Sequence, residues 1–306
     1  MKRFFATSCA ALLIVIAPAD TPAGARAGDC FDSSIVAAVP DENGHSLARG
    51  GDGEIKEPVL DEPVASLPAA AKGKGSGKFK ETIPVYFHVV SPDGVIGNVT
   101  QTQIDDQIRV MNLAFTGVYG GVKTGFTFQL AGVTRSTNAD WFNAKPGSPA
   151  ERAMKQALST NAPQALNYYS TTAGVYLGWA YLPGLTPSRM YLDGIVVDWE
   201  SMFHTSDRYA GAYDLGLTAV HEAGHWLGLE HTFFGGCNAK GDYVDDTPAM
   251  RVPTSGCPLG KDTCPEPGVD PIHNYMDYSY DSCYFEFTAG QAQRMQDHSL
   301  FFHSGD

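Results

Sequence analysis

The sequence predicts a mixed α/β (α+β) domain over residues 81–306, and three observations carry that prediction. β-Branched and aromatic runs recur through the first half of this stretch, and amphipathic segments with recognisable caps lie between them. The last third breaks up into loop rich in Gly, Pro and Cys.

The elements follow in order. Residues 83–90 (IPVYFHVV) read as a strand. Thr100 and Gln103 have capping-box form, and Ile104, Ile108, Met111 and Phe115 follow at helical spacing. Residues 126–133 read as a second strand. Ser148 before Pro149 opens another helix, because proline is pre-set for the first helical position. Residues 166–169, 178–182 and 194–199 are short strand candidates punctuated by Gly and Pro. Residues 215–229 read as a helix, and residues 288–300 read as a closing helix with Thr288 and Gln291 as its cap pair.

The segment before residue 81 has a different character. Lys2 and Arg3 precede an apolar run from Phe4 to Ala17, and Ala25-Arg26-Ala27 has the small-residue form of a cleavage site before Gly28. Residues 1–27 therefore read as an export signal. About 14 apolar residues are too few to cross a bilayer comfortably, which disfavours the alternative of a membrane anchor. Residues 28–80 read as a propeptide and linker, or else as a plain polar tail. They lack sustained periodicity and end in the Gly-, Ser- and Lys-rich stretch AAAKGKGSGKFK.

The 306 residues carry 21 Lys+Arg against 34 Asp+Glu, a net charge of −13. Residues 1–80 hold 9 basic and 10 acidic side chains, so the excess of acid belongs to the remainder. An acidic body argues against nucleic acid as a partner, since binding it needs a basic face. The hydrophobic fraction of 43% supplies a packed core and excludes wholesale disorder.

The chemistry concentrates in His221-Glu222-Ala223-Gly224-His225-Trp226-Leu227-Gly228-Leu229-Glu230-His231. Residues four apart on a helix lie about 40° apart on one face, so His221 and His225 can aim at one ion. Glu222 lies beside that face, where a general base for a metal-activated water would stand. Ten residues of straight helix would carry His231 about 15 Å from His221. It reaches the same ion only if the helix stops and the chain doubles back, and Gly228 can adopt the left-handed conformation that such a stop requires. Chance occurrence of this spacing is on the order of 3 × 10⁻⁵ per chain of this composition, against which a metal site is the stronger reading. Closed structural zinc sites use four protein ligands and favour Cys, whereas three His leave a position open. A non-catalytic binding module that keeps zinc as a fold element is the competing reading, and Glu222 would have no task in it.

With the downstream Asn274-Tyr275-Met276-Asp277-Tyr278, this motif resembles the metzincin metalloproteases, and within them the pappalysin, ulilysin-like branch. Thr232 after the third His, the run Gly241-Asp242-Tyr243-Val244-Asp245-Asp246-Thr247-Pro248, and Gln293-Arg294-Met295 match that branch as well. The resemblance implies a zinc protease domain with a mixed-sheet upper subdomain and an irregular, disulfide-stapled lower subdomain ending in a helix. It implies His221, His225 and His231 as zinc ligands, Glu222 as general base, Met276 as the floor beneath the ion and Tyr278 as a donor to the developing oxyanion. The strand near residues 178–181 resembles the family's upper-rim edge strand, which pairs with extended substrate. Separately from the resemblance, Asp281, just before Cys283, is read as a candidate for the pocket beyond the scissile bond, where it would favour basic residues.

Six cysteines remain. Cys9 leaves with the signal. Cys237, Cys257, Cys264 and Cys283 allow three pairings that spacing cannot separate. The resemblance implies Cys237–Cys264 and Cys257–Cys283. Cys30, in the propeptide segment, is a candidate zymogen switch whose thiolate would cap the zinc, or else an unpaired thiol. Asp242, Asp245, Asp246 and Thr247 crowd oxygen donors into one loop, which suits calcium or else is a solvated acidic turn. Asn98-Val99-Thr100 is a glycosylation sequon. Together these readings describe a secreted, zinc-dependent endopeptidase made as a zymogen and acting on polypeptides, with no membrane association once the signal is removed.

Overall fold

The computed structural model describes residue 67, residues 78–238 and residues 241–304. The export signal, Cys30 and the body of the propeptide segment lie outside the described residues. Among the described residues, no helix is long and apolar enough to cross a membrane.

Five strands form one sheet in the order β2-β1-β3-β5-β4. They are β1 (Glu81–Ser91), β2 (Phe126–Thr137), β3 (Leu166–Thr171), β4 (Gly178–Ala180) and β5 (Ile195–Asp198). The first four in sheet order run parallel, and β4 closes one edge antiparallel to β5. Parallel strands need crossovers, and helices supply them: α1 (Gln101–Phe115) between β1 and β2, and α2 (Ala139–Phe142) with α3 (Pro149–Leu158) between β2 and β3. Both faces of the sheet are thereby covered, so β3 and β5 are buried at every residue.

The α1 helix begins where its sequence predicts. Thr100 caps it, and Gln103 answers with its side chain on the Thr100 N–H at 2.8 Å. Its inward stripe of Ile104, Ile108, Met111 and Phe115 packs with Val85, Phe87, Tyr168 and Ile195 of the sheet. Each such side chain stabilises the fold by roughly 1.5–3 kcal/mol relative to exposure. Helix α4 (Leu217–Trp226) enters this same core through Leu217, Val220 and Ala223. On the opposite face α2 and α3 bury Phe142 and Met154 against Tyr169, Trp179 and Val196.

Two helices differ from their sequence prediction at the ends. The apolar period suggests 215–229, but α4 spans only Leu217–Trp226, because Gly216 (φ +79°) and Gly228 (φ +94°) are both left-handed. The closing helix α5 (Ala289–His298) keeps its Thr288–Gln291 capping box. It then widens into a π turn over Ser299–His303. That turn seats the His303 ring 4.0 Å from the Trp226 ring, so it packs against the last residue of α4. The strand expected over 178–182 is shorter, Gly178–Ala180.

Between Leu227 and Tyr280 the described residues hold no α-helix and no strand element. Disulfide Cys237–Cys264 joins this segment to itself, and Cys257–Cys283 ties it to the turn Asp281–Cys283 that follows. Bridges of this kind stabilise chiefly by constraining the unfolded chain.

Candidate active site

Helix α4 is buried along its whole length and carries the first two histidines on one face. Its C-terminus is closed by Gly228 N–H donating to the His225 carbonyl (2.8 Å) and Leu229 N–H donating to the Gly224 carbonyl (3.0 Å). A side chain at position 228 has no room: a Cβ there would fall on the His298 ring, 2.8 Å from Cε1 and closer still to Cγ and Nδ1. The reversed chain then delivers His231. Its Nε2 stands 3.0 Å from Nε2 of His225, which stands 3.1 Å from Nε2 of His221.

Those separations are informative because of what the other ring nitrogens do. His221 Nδ1 donates to the Tyr275 carbonyl (2.6 Å) and His225 Nδ1 donates to the Leu229 carbonyl (2.7 Å). A neutral imidazole that donates from Nδ1 presents a bare lone pair at Nε2. The two lone pairs at 3.1 Å repel each other unless a cation lies between them. The spacing also suits donors held about 2.0–2.1 Å from one ion, so the residues present fit a metal such as zinc. The backbone carbonyls that hold the rings supply the orienting shell common to such sites.

Glu222 lies beside the cluster, 1% exposed, and packs against β4. A Cβ on Gly178 would sit 2.8 Å from Glu222 Oε1 and 2.7 Å from the Val196 carbonyl, so only glycine lets this strand pass the carboxylate. Met276 is fully buried and packs against α4, its Sδ only 2.5 Å from where a Cβ on Gly224 would be. Tyr278 packs near the histidines, its ring 5.8 Å from that of His221 and 5.0 Å from that of His231.

A solvent-open cleft of about 410 Å³ runs along these groups, walled by His221, Glu222, Gly178, Tyr278, Tyr213 and Asp281 among others. Asp281 takes a part that sequence reasoning missed. Its Oδ2 accepts the N–H groups of Leu215 (2.9 Å) and Leu217 (3.4 Å), so it caps the start of α4 from 64 residues downstream. Burial pushes its carboxyl up to about 7 even though those two amides pull it down. Gly178 was also legible only as a strand residue, and nothing in the linear sequence marks it as the neighbour of Glu222.

The acidic loop is arranged differently from the histidines. Asp246 spends both oxygens on α5, accepting the Thr288 hydroxyl (2.7 Å) and the Gly290 N–H (2.8 Å). Asp245 is exposed, and the Thr247 hydroxyl donates to the Val244 carbonyl. Asp242 is buried, its Oδ1 accepts the Val244 N–H, and its Oδ2 meets no donor among the described residues. Burial raises its carboxyl to about 6. These carboxylates do not converge on one point as the three imidazoles do.

The fold and the cleft are those of a metal-dependent peptidase. Residues 178–299 match the family model described as pregnancy-associated plasma protein-A. An extracellular metalloprotease of Pyricularia oryzae is 41% identical over 280 residues, covering 89% of this chain and 94% of its own. Extracellular metalloprotease 1 of Coccidioides posadasii is 40% identical, with 89% and 95% covered. Among solved structures, mature mirolysin of Tannerella forsythia in complex with a cleaved peptide is 30% identical (TM-score 0.61), with 72% of this chain and 92% of that one covered. Promirolysin of the same organism is 26% identical (TM-score 0.64), with 74% and 83% covered. The chain belongs to the pappalysin family of metzincin metalloproteases, and it is a secreted enzyme that hydrolyses peptide bonds. The non-catalytic binding module is thereby set aside.

Proposed function

We propose that the bound metal is zinc, held by His221, His225 and His231, and that Glu222 is the general base of an endopeptidase. The observation that carries this is the convergence of three Nε2 atoms, two of them with their Nδ1 protons fixed on carbonyls, beside a carboxylate in an open cleft. Zinc in such a site supplies Lewis acidity, polarising a carbonyl and lowering the pKa of a water towards about 7.

The chain's own residues do the rest. Glu222 takes the proton of the attacking water and returns it to the leaving amine, a transfer made easier by a carboxylate buried beside the reacting groups. Tyr278 borders the cleft on the histidine side, where its hydroxyl would donate to the developing oxyanion. Met276 packs under Gly224 and holds the histidine pair level. Polypeptide is bound along β4, the edge of the sheet that borders the cleft. Asp281 in the cleft wall favours a basic side chain after the scissile bond.

The remaining parts of the proposal concern the rest of the chain. Residues 1–27 are the export signal and residues 28–80 a propeptide that leaves 81–306 as the active enzyme, with Cys30 as the thiolate that caps the zinc beforehand. The solved proform of a relative is consistent with zymogen synthesis. The calcium reading of the loop of Asp242, Asp245, Asp246 and Thr247 narrows to Asp242, whose buried Oδ2 is unsatisfied, since Asp246 spends both oxygens on α5 and Asp245 is exposed.

The test is hydrolysis of an unfolded protein such as casein by the secreted protein and by Glu222→Ala, at equal zinc content. Loss of about 10²–10⁴-fold in rate with zinc unchanged is the expected result. Equal cleavage by both proteins would refute the role of Glu222.

A further inference from the structure

A fully buried ion pair lies on the far side of the edge strand from Glu222. Glu151 and Lys155, one turn apart on α3, are both 0% exposed with Nζ 3.2 Å from Oε1. A buried pair of this kind is weak evidence for stability, because apolar residues of similar volume often do as well or better. Its partners show what else it does. Glu151 Oε1 accepts the indole N–H of Trp179 (2.8 Å), and Oε2 accepts the hydroxyl of Tyr181 (3.0 Å) and the N–H of Gly147 (2.6 Å). Trp179 and Tyr181 stand at i and i+2, so one carboxylate grips two side chains on the same face of the strand.

The opposite face of that strand touches Glu222 through Gly178. The strand's backbone is also sorted by its pairing. Asp198 N–H donates to the Leu177 carbonyl (2.7 Å), which makes Trp179 and Val196 the next hydrogen-bonded pair of the antiparallel ladder. Gly178 and Ala180 therefore turn their N–H and C=O groups to the open edge, the side on which an extended peptide can add.

Lys155 extends the network towards the metal helix. Its Nζ donates to the Leu192 carbonyl (2.8 Å) and lies over the rings of Tyr181 (4.8 Å) and Tyr169 (5.4 Å). The next residue, Asp193, accepts the indole N–H of Trp226, the last residue of α4, at 2.9 Å. One continuous set of contacts thus runs from the substrate edge through Glu151, Lys155 and the segment Leu192-Asp193 to the helix that bears His221, Glu222 and His225.

We propose that Glu151 and Lys155 are positioning residues that fix the edge strand, and with it an extended substrate, at a set height relative to Glu222. This rests on the endopeptidase reading and adds to it the device that aligns the polypeptide with the base. Neither residue touches substrate. Loosening them lets β4 ride away from α4, which matters only to a substrate long enough to pair with that strand.

The experiment compares an extended peptide with a blocked dipeptide amide as substrates of the secreted enzyme. The variants are Glu151→Gln and the double change Glu151→Gln with Lys155→Met. The double change removes both charges, so it stays testable if the single one leaves an unpaired ammonium and fails to fold. For the folded variant we expect kcat/KM for the extended peptide to fall about tenfold, the effect of losing one charged hydrogen bond. The dipeptide rate and the zinc stoichiometry should be unchanged. Equal losses on both substrates, or no loss on either in a folded variant, would overturn the proposal as a merely structural or idle pair. A wild-type enzyme inert towards both peptides at full zinc would overturn the endopeptidase reading and this inference with it.

Discussion

Replacing Gly228 by Ala tests the idea that one residue's backbone brings His231 to the other two histidines. Two costs arise. The residue holds φ +94°, outside the regions an L-residue prefers, and confining Ala there costs on the order of 1–3 kcal/mol. The new methyl also meets the His298 ring, with Cε1 2.8 Å from the Cβ position. His298 is 1% exposed and cannot swing into solvent, so either the ring or the turn must move, at a typical cost of about 1–3 kcal/mol. Even the low end of the sum, about 2 kcal/mol, weakens zinc binding about 30-fold if the strain is relieved by releasing His231. The assay is competition for zinc against a chromophoric chelator, with thermal unfolding of the zinc-saturated protein alongside. Adding His298→Ala separates the two terms, since it removes the clash and leaves the φ cost. A Gly228→Ala protein that binds zinc within threefold of the wild type would refute the reasoning.

Further predictions concern the cleft and the loop. Tyr278→Phe should lower kcat by about 10²–10³-fold with KM little changed, as for loss of one oxyanion donor, read by steady-state kinetics. Burial holds Asp281 at about 7 against an ordinary 3.8, so between those values the folded chain keeps a proton that the unfolded chain has released. Its contribution to stability is therefore fully present below pH 3.8 and lost as pH rises to about 7. Asp281→Asn should flatten that part of the Tm-against-pH curve, and it should also lessen any preference for Lys or Arg after the scissile bond. Asp242→Asn should abolish a calcium-dependent rise in Tm, and an equal rise in the variant would place calcium elsewhere.

The convergence of the three histidines was legible because its geometry is local. His221 and His225 need only a helix, and Gly228 needs only a left-handed residue, so eleven consecutive positions specify the convergence. The strands were legible as β-branched runs, and α1 and α5 as capping boxes, for the same reason. What the linear pattern could not supply were contacts made across long separations by residues with ordinary propensities. Asp281 looks like any acidic loop residue until its carboxylate is seen on the amides of Leu215 and Leu217. Glu151 and Lys155 look like a solvated i,i+4 pair on an amphipathic helix, yet both are fully buried because Trp179 and Tyr181 fold over them. The ends of α4 were misjudged for a related reason: the apolar period runs on through Leu227 and Leu229, but the glycines on either side decide where helical dihedrals stop.

The two ends of α4 are therefore governed by different parts of the chain. At its start, Asp281 holds the first amides and belongs to the cleft wall, in the turn that ends at the Cys257–Cys283 bridge. At its finish, Arg294 of α5 donates to the Gly228 carbonyl (2.8 Å), and the ring of His303 lies on Trp226. Between them the helix presents Glu222 to β4 and two imidazoles to the cluster. A helix of ten residues is marginal by itself, so its exact seating comes from these tertiary clamps rather than from propensity. Substrate contacts and metal geometry are then coupled through one short rigid element. A change in the cleft wall at Asp281 should alter zinc affinity as well as cleavage preference, whereas a change at Glu151 acts from behind the edge strand and should leave zinc alone. That contrast follows from which end of which element each residue holds.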